Sequence, residues 1–393
     1  MRQNPLAYLD EELNELRRQG LYRPLRVLDG EQAAHTSIDR RDVVNLSSNN
    51  YLGLTTHPTL RARALEALKA FGVGTGSVRT IAGTMAIHIE LERRLAAFKQ
   101  TEAAVVFQSG FTANAGTVSS LLGRDDVIVS DELNHASIID GARLSRATIK
   151  VFPHRDVDAA RQIIAALPRP QRTLLITDGV FSMDGDLGAL PALCAVADEY
   201  GCIMMVDDAH ASGVFGRAGR GTVDHFAMHG RVDVQVGTLS KALGALGGYV
   251  AGSTSLIQFL HRRARPFLFS TSHPPSVAAT CIAALDVLES EPQWMERLWS
   301  NTRFFKAGLQ ALGFDTGASE SPITPVIVGD GARAMTLSDK LFDAGVFAQG
   351  IGFPTVPQGK ARVRTIVTAT HTEAELLFAL DAFRKVGGEL GII

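Results

Sequence analysis

Cysteine is scarce in this sequence. Among 393 residues only Cys194, Cys202 and Cys281 occur, and no two of them form a CxxC pair. An odd and scattered set argues against a disulfide framework or a thiolate metal site. Cys194 and Cys202 fall in apolar stretches, so we expect them to be small buried hydrophobic residues. A reducing, cytoplasmic compartment is the expectation that follows.

Net charge and long apolar runs are also lacking. The formal net charge is −2, which gives no electrostatic reason to expect a nucleic-acid or anionic-membrane partner. No run of 18 uncharged apolar residues occurs, and the N-terminus has no apolar core of the kind a signal peptide needs. We therefore expect neither a membrane anchor nor a secretory leader.

What the sequence does contain is a regular alternation of short apolar runs with longer helical patterns. The runs are AAVVF (103–107), VIV (127–129), TLLIT (173–177), IMMV (203–206) and VQVG (234–237). β-rich runs separated by helices predict an α/β fold with a mostly parallel sheet that is covered on both faces.

The two ends of the chain differ from this pattern. Leucines at steps of three and four predict an amphipathic N-terminal helix, and Pro274-Pro275 precedes long helices and a few strands. We expect three parts: an N-terminal helix and arm (1–47), a large domain (48–275) and a smaller α+β domain (276–393).

Polar clusters follow four of the predicted strands. They are SGFTAN (109–114), DELNHAS (131–137), VDDAH (206–210) and GTLSK (237–241). In open α/β sheets, ligands bind at the carboxyl ends of the strands. The first cluster opens a helix, where free backbone N–H groups suit a phosphate, and the hydroxyls of Thr238 and Ser240 are candidates for the same anion.

The cluster VDDAH leaves three interpretations open. Asp207, Asp208 and His210 could form a metal site, since carboxylate and imidazole are ligands for Zn²⁺ or Mn²⁺. They could equally be a hydrogen-bonded loop. In the third interpretation, one carboxylate faces a ring nitrogen that must stay protonated.

Lys241 distinguishes between these interpretations. It is the only charged residue in the small-residue stretch 237–252. An amine in an apolar site is easier to deprotonate, which suits Schiff-base chemistry with a carbonyl, and the small neighbours would admit a ligand close to it. With His135 available to stack on a flat ring, the clusters together point to pyridoxal phosphate, whose pyridinium needs a carboxylate partner.

The chain resembles the α-oxoamine synthases, pyridoxal-phosphate enzymes of the aspartate-aminotransferase fold type (fold type I). The resemblance runs nearly end to end, through NNYLGL, GTGSVRTIAGT, LNHASIIDG, TDGVFSMDGD, VDDAHASGVFG, GRGT, GTLSKALG, RPFLFSTS, FPTVP and ARVRT in that order. It implies a dimer with shared active sites, in which Lys241 bonds the cofactor. The other implied cofactor-binding residues are Gly110, Phe111, His135, Ser182, Asp207, His210 and Thr238, with Thr271 and Ser272 from a second subunit.

The resemblance also implies how the substrates bind. Asn50 and Arg364 would hold the amino-acid carboxylate, with Thr355 close to the substrate and Arg23 near it. Arg364 fits this role independently, because ARVRT alternates as a strand does and a planar guanidinium binds a carboxylate through two hydrogen bonds.

Within the family we expect a glycine C-acetyltransferase, which joins glycine to acetyl-CoA, with some activity towards L-alanine or longer acyl-CoA. The 8-amino-7-oxononanoate synthases, which join L-alanine to a pimeloyl thioester in biotin biosynthesis, are the alternative. They typically have Gly-Ser-Gly and a serine where this chain has Ser77-Val78-Arg79 and Asn134. A bulky Val-Arg pair beside the cofactor should leave less room for a long acyl chain.

Overall fold

The computed structural model describes residues 4–19, 22, 25–168 and 172–393. The α-helices of these residues are α1 Tyr8–Arg18, α2 Pro58–Phe71, α3 Ala86–Lys99, α4 Gly110–Leu121, α5 Ala136–Ser145, α6 Val157–Ala165, α7 Leu190–Tyr200, α8 Thr222–His225, α9 Thr254–Arg263, α10 Arg265–Leu268, α11 Pro275–Ser290, α12 Gln293–Ala311, α13 Gly331–Asp343 and α14 Glu373–Glu389. The strands are β1 His35–Ile38, β2 Arg41–Asn45, β3 Ala103–Phe107, β4 Val127–Asp131, β5 Thr148–Phe152, β6 Thr173–Asp178, β7 Ile203–Asp207, β8 Val234–Thr238, β9 Gly248–Gly252, β10 Ile323–Gly329, β11 Val346–Phe347, β12 Gln349–Ile351 and β13 Ala361–Ile366.

A seven-stranded sheet forms the centre of the molecule. Its strand order is β3-β9-β8-β7-β6-β4-β5, and only β9 runs against the other six. Every residue of β4 and β8 is buried, as expected for strands that helices cover on both faces. The predicted, mostly parallel α/β sheet is confirmed.

The five apolar runs of the sequence became β3, β4, β6, β7 and β8, while two strands of this sheet escaped prediction. One of them, β5, is an edge strand with four exposed residues in five, so its sequence lacks a buried apolar pattern. The other, β9, reads GYVAG and has a glycine at each end, which resembles a loop in composition. Helix α7 ends at Gly201, whose φ of +67° is typical of a glycine at a helix C-terminus.

Two three-stranded sheets lie outside the central one. One has the order β10-β13-β12 and belongs to the smaller C-terminal domain. The other joins β1 and β2 from the start of the chain to β11 from its end. The division at residues 47 and 275 stays a prediction. The N-terminal helix α1 forms as expected, but all of its described side chains are solvent-exposed.

Two further expectations concern the described residues. All three cysteines are free and buried, which confirms the packing role expected for Cys194 and Cys202. No helix in the described ranges is long and apolar enough to cross a bilayer. The carboxyl ends of β4, β6, β7 and β8 meet at one edge of the sheet, because these strands are parallel neighbours, and β3 points the same way.

Candidate active site

A cavity of about 210 Å³ lies at that edge. Eight of the predicted residues line it, namely Gly110, Phe111, His135, Asp207, His210, Thr238, Ser240 and Lys241; Ser109, Ser137, Asp178, Val180 and Ala209 complete the lining. The ends of five strands (β3, β4, β6, β7 and β8) and the connections that follow them therefore converge on one space, which we call the cofactor cavity.

Lys241 lies in the connection after β8 and lines the cofactor cavity. Burial lowers the pKa of its ammonium group to about 8, and the opposing charge of Asp207 only partly offsets this effect. A larger fraction of the amine is therefore neutral near neutral pH than in an ordinary lysine, and the neutral amine can attack a carbonyl or accept a proton.

The glycines around Lys241 have a packing role besides the one expected. A side chain at Gly237 would collide with the ring of Tyr249, and one at Gly248 with the backbone of Ser109 and Gly110. Gly244 has φ +69°, and a Cβ there would lie 2.8 Å from the backbone nitrogen of Thr55. The small residues are thus required by the packing of the chain against itself around the lysine.

Asp207 ends β7 and has both of its carboxylate oxygens bonded. Its Oδ2 accepts a hydrogen bond from Asn114 Nδ2 at 2.6 Å, and its Oδ1 accepts one from the backbone N–H of Ala209 at 2.8 Å. These donors fix the carboxylate in the cavity wall. Each oxygen retains a further lone pair for a protonated ring nitrogen.

Asp208 faces away from this carboxylate. It pairs with Lys99 Nζ at 2.8 Å, and both side chains are 0% exposed. The two carboxylates thus serve different partners. In the described part of the chain no group of three or more His, Cys, Asp and Glu side chains is placed to hold a metal ion.

Asp178 is a site residue that the sequence reasoning missed. It ends β6 directly opposite Asp207 in the parallel register, and its Oδ1 is buried without a hydrogen-bond partner. Burial, followed by the charge of Asp207, raises the pKa of Asp178 well above its ordinary range. The signal was present, since a carboxyl group ends the apolar run TLLITD just as Asp207 ends IMMVD.

The two histidines of the cavity are neutral. Burial lowers the pKa of His135, whose Nδ1 accepts a hydrogen bond from the Ser137 N–H at the start of α5. Burial, followed by the charges of Lys241 and Arg364, lowers the pKa of His210 well below its ordinary value. His210 Nδ1 is hydrogen-bonded to the Tyr51 hydroxyl at 2.7 Å, which leaves Nε2 free to contact a ligand.

The N-terminus of α4 forms the anion-binding side of the cavity. Ser109 caps the helix by accepting a hydrogen bond from the Thr112 N–H at 3.1 Å. The N–H groups of Gly110 and Phe111 lie in the first turn, where a helix has no preceding carbonyl to bond. Thr238 Oγ1 lies 2.7 Å from Ser240 Oγ. These groups suit a phosphate.

The donor set as a whole fits pyridoxal phosphate. A deprotonatable amine, a fixed carboxylate, neutral imidazoles and a helix N-terminus match its aldehyde, its pyridinium nitrogen, its ring and its phosphate. Asp178 Oδ1 has no hydrogen-bond partner among the described residues of the chain, so the cavity offers a polar group that a bound ligand could use.

A second, larger cavity of about 610 Å³ adjoins the first and shares His135 with it. Its lining is largely apolar and includes Leu133, Ile139, Phe181, Met183, Phe353, Pro354, Val356 and Pro357, together with Ser182 and Thr355. We call it the adjoining cavity. Ser182 therefore lines this space instead of the cofactor cavity, and its carbonyl accepts a hydrogen bond from Arg364 Nη1 at 3.0 Å.

The other predicted residues are placed less directly. Arg364 lies close enough for its charge to lower the pKa values of His210 and Lys241. The amide of Asn50 bonds Thr55 Oγ1 at 2.7 Å within its own loop. Thr271 and Ser272 lie against the segment 77–78 of the same chain. Arg23 lies outside the described residues.

Arg79 lies in neither cavity lining, contrary to expectation. Its guanidinium is buried in a paired contact with Glu92, at 2.8 and 2.9 Å, and stacks on the Phe267 ring. The expected obstruction of a long acyl chain is thus absent. Asn134 does line the adjoining cavity, but its side chain is held by the backbone: it donates to the Ile176 carbonyl at 3.0 Å and accepts from the Asp178 N–H at 2.8 Å.

Comparison with known proteins gives the same fold and site class. The model of the aminotransferase class I and II family matches residues 41–383. The 8-amino-7-oxononanoate synthase of Symbiobacterium thermophilum is 60% identical over 98% of this chain and 99% of its own. In Bacillus subtilis, 8-amino-7-oxononanoate synthase 1 is 53% identical over 98% of each chain. The solved serine palmitoyltransferase of Sphingomonas wittichii is 33% identical, with a TM-score of 0.95 over 99% of this chain and 100% of that one.

These relatives overturn the expected substrates. Curated proteins at 53–60% identity carry the name 8-amino-7-oxononanoate synthase, so the glycine C-acetyltransferase expectation is wrong. The error has a physical cause. The bulky side chains of Val78 and Arg79 were expected to face the substrate. In the structure, Arg79 instead forms a buried ion pair with Glu92.

Proposed function

This chain belongs to the pyridoxal-phosphate-dependent α-oxoamine synthases, within the aminotransferase class I and II family, and we propose that it condenses L-alanine with a pimeloyl thioester. Alanine and pimelate contribute three and seven carbons, and the product 8-amino-7-oxononanoate has nine. One carbon therefore leaves as carbon dioxide, and the thiol of the acyl carrier is released.

The adjoining cavity is the observation that carries this proposal. With about 610 Å³ and largely apolar walls, it offers a long acyl chain a place to bind beside His135. An acetyl group would leave most of that space unused. Burial of each additional CH₂ against such walls contributes about 0.8 kcal/mol, so a seven-carbon chain gains far more from the cavity than a two-carbon one.

Lys241 is the base in this proposal. Pyridoxal phosphate, when bound, supplies an electron sink for negative charge at the α-carbon of the amino acid. The Lys241 amine, whose pKa burial lowers to about 8, accepts the α-proton and returns a proton later. Asp207 lines the same cavity, where Asn114 and Ala209 hold its carboxylate. In this proposal it is the negative partner of a protonated ring nitrogen.

Arg364 is the proposed partner of the amino-acid carboxylate. Its Nη1 is already bonded to the Ser182 carbonyl, while its buried Nε has no partner in the structure. An unpaired buried guanidinium nitrogen favours binding of an anion. Thr355 and Ser182 line the adjoining cavity, and their proposed role is to contact the acyl donor.

The protein is proposed to work as a homodimer, with Thr271 and Ser272 of one subunit completing the phosphate site of the other. The segments around these residues present large apolar side chains to solvent. Val73, Ile81 and Phe269 are 79%, 82% and 70% exposed. A partner subunit that covers them would bury apolar area and bring both hydroxyls to an interface.

A thiol-release assay tests the substrate assignment. Purified protein loaded with cofactor is given L-alanine or glycine, each with pimeloyl-CoA or acetyl-CoA. We expect kcat/KM for L-alanine with pimeloyl-CoA to exceed that for glycine with acetyl-CoA at least ~10-fold, since each matched methylene adds preference. A higher value for glycine with acetyl-CoA would refute the proposal.

A further inference from the structure

His154 lies outside both cavities, in the connection that follows β5 (Thr148–Phe152). Its two ring nitrogens each face a carboxylate: Nδ1 lies 3.0 Å from Asp131 Oδ1, and Nε2 lies 2.8 Å from Asp186 Oδ2. An imidazole between two carboxylates must donate from both nitrogens, which only the charged form can do. Burial opposes that charge, but the two hydrogen bonds outweigh it and raise the pKa of His154 to about 9.

One of these carboxylates belongs to a compact turn, residues 181–187. The Phe181 N–H donates to the Asp186 carbonyl at 3.0 Å, and the Gly185 N–H donates to the Phe181 carbonyl at 2.8 Å. The Phe181 ring meets the His154 ring edge-on, with centroids 4.4 Å apart. The 181–187 turn is therefore anchored to His154 through both a charge pair and a ring contact.

The opposite side of the 181–187 turn holds two arginines of β13 (Ala361–Ile366). The Ser182 carbonyl accepts a hydrogen bond from Arg364 Nη1 at 3.0 Å. The Met183 carbonyl accepts one from Arg362 Nη1 at 3.0 Å, and Asp184 Oδ1 lies 2.6 Å from the same nitrogen. The turn thus stands between an imidazolium and the guanidinium proposed to bind the substrate.

We propose that His154 is a positioning residue for substrate binding: by pairing with Asp131 and Asp186 it anchors the 181–187 turn, whose Ser182 carbonyl orients Arg364. This inference rests on the proposed role of Arg364 in holding the amino-acid carboxylate. His154 is not itself a lining residue of either cavity and takes no part in the chemical steps.

The charged groups around His154 determine how pH affects the anchoring of the 181–187 turn. Asp131 and Asp186 are not the only charged groups nearby. The backbone N–H of His154 donates to Glu132 Oε1 at 2.9 Å, and Arg155 Nη1 lies 3.4 Å from carboxylate oxygens of both Asp186 and Glu320. When the ring loses its proton, one nitrogen becomes an acceptor facing a carboxylate. Because the pKa of His154 is raised on folding, the anchoring is complete below about 6.5 and is lost as pH rises through about 9.

Spectral titration of the cofactor-loaded protein with L-alanine, without any acyl donor, tests this inference. The cofactor absorbance reports binding, so the dissociation constant is measured independently of turnover. At pH 7 we expect His154→Gln to raise the L-alanine Kd and KM about tenfold, within the usual range of coupling between two sites, with kcat nearly unchanged. His229→Gln is the matched control, because it removes another half-buried His–Asp contact, to Asp224 at 3.1 Å, and its Kd should match the wild type.

The pH dependence separates positioning from general destabilisation. The Kd ratio of His154→Gln to wild type should fall towards one above pH 9, since the wild-type ring is then neutral as well. Titration of the amino acid itself is common to both proteins and cancels in the ratio. A variant with wild-type Kd at pH 7, or a ratio that does not change with pH, overturns the inference.

Two provisions keep the test decisive. If His154→Gln does not fold, Asp186→Asn is used instead, since it removes one charge and keeps the side-chain shape; an unchanged Kd in that variant also refutes the inference. If wild-type protein fails to bind L-alanine, the substrate assignment falls, and the same titration is made with glycine. The two failures are therefore distinguishable.

Discussion

At the scale of single residues, the two neighbouring carboxyl groups of the cofactor cavity differ in their protonation. Asp207 has a donor on each oxygen, whereas Asp178 Oδ1 has none. Two adjacent buried carboxylates repel each other, so one keeps its proton. The pKa of Asp178, raised by burial and by Asp207, identifies it as the protonated member.

This difference predicts opposite responses to the same substitution. Asp178→Asn replaces a neutral carboxyl with a neutral amide of similar shape, so turnover of the cofactor-loaded enzyme should stay within about threefold of wild type. Asp207→Asn removes the charge that stabilises a protonated ring nitrogen and should cost ~100-fold or more in kcat. Steady-state kinetics at pH 7 measure both. Equal losses in the two variants would show that Asp178 is ionised.

At the scale of elements, the buried Lys99–Asp208 pair joins the end of α3 to the loop after β7. Lys99 Nζ also donates to the Arg220 carbonyl at 2.5 Å, and the Thr222 N–H donates to Asp208. The loop that follows Asp207 and carries His210 is thereby tied to the helix layer. Neither residue of the pair touches the cofactor cavity, so its contribution is to stability and loop position.

Breaking this pair should destabilise the fold. Lys99→Met leaves Asp208 charged and buried, which typically costs ~3–5 kcal/mol. Adding Asp208→Asn should restore part of the loss, because the remaining amide is neutral and can still accept from Thr222. Urea unfolding measures both variants. Lys340→Met, which breaks an exposed pair with Glu389, is the control and should cost less than ~1 kcal/mol; a Lys99→Met loss as small as that would refute the prediction.

At the scale of the whole molecule, the proposed dimer predicts complementation between defective subunits. Lys241→Ala removes the base from one site, and Thr271→Val removes a hydroxyl proposed to serve the other subunit's site. Each variant alone should be impaired. In a hybrid dimer one site would carry both changes and the other neither, so the isolated hybrid should show about half of wild-type activity.

Co-expression of the two variants with different affinity tags, followed by double purification, isolates the hybrid for assay. Wild-type subunits carrying the same tags are the control. Activity no greater than the average of the two separate variants would show that Thr271 does not act across an interface.

The local sequence determined most of the architecture. Buried strands such as β4 and β8 have continuous apolar runs because both of their faces are covered, and the polar residue that ends each run marks the edge where ligands bind. This is why Lys241, Asp207, His135 and His210 could be placed at one site from sequence order alone. Edge strand β5 and glycine-bounded β9 lack that signal, since neither contributes a buried run of large apolar residues.

Tertiary structure decided what depends on the direction of a side chain and on its distant partners. Whether Arg79 obstructs the acyl chain or forms an internal ion pair depends on where Glu92 lies, and the distance between the two side chains cannot be read from the sequence. The same holds for Asp178, whose protonation depends on the parallel register that places it beside Asp207, and for His154, whose two carboxylates come from segments 23 and 32 residues away. Cavity size likewise arises from long-range packing. The residue types therefore determined the chemistry, whereas the fold determined the space in which it acts.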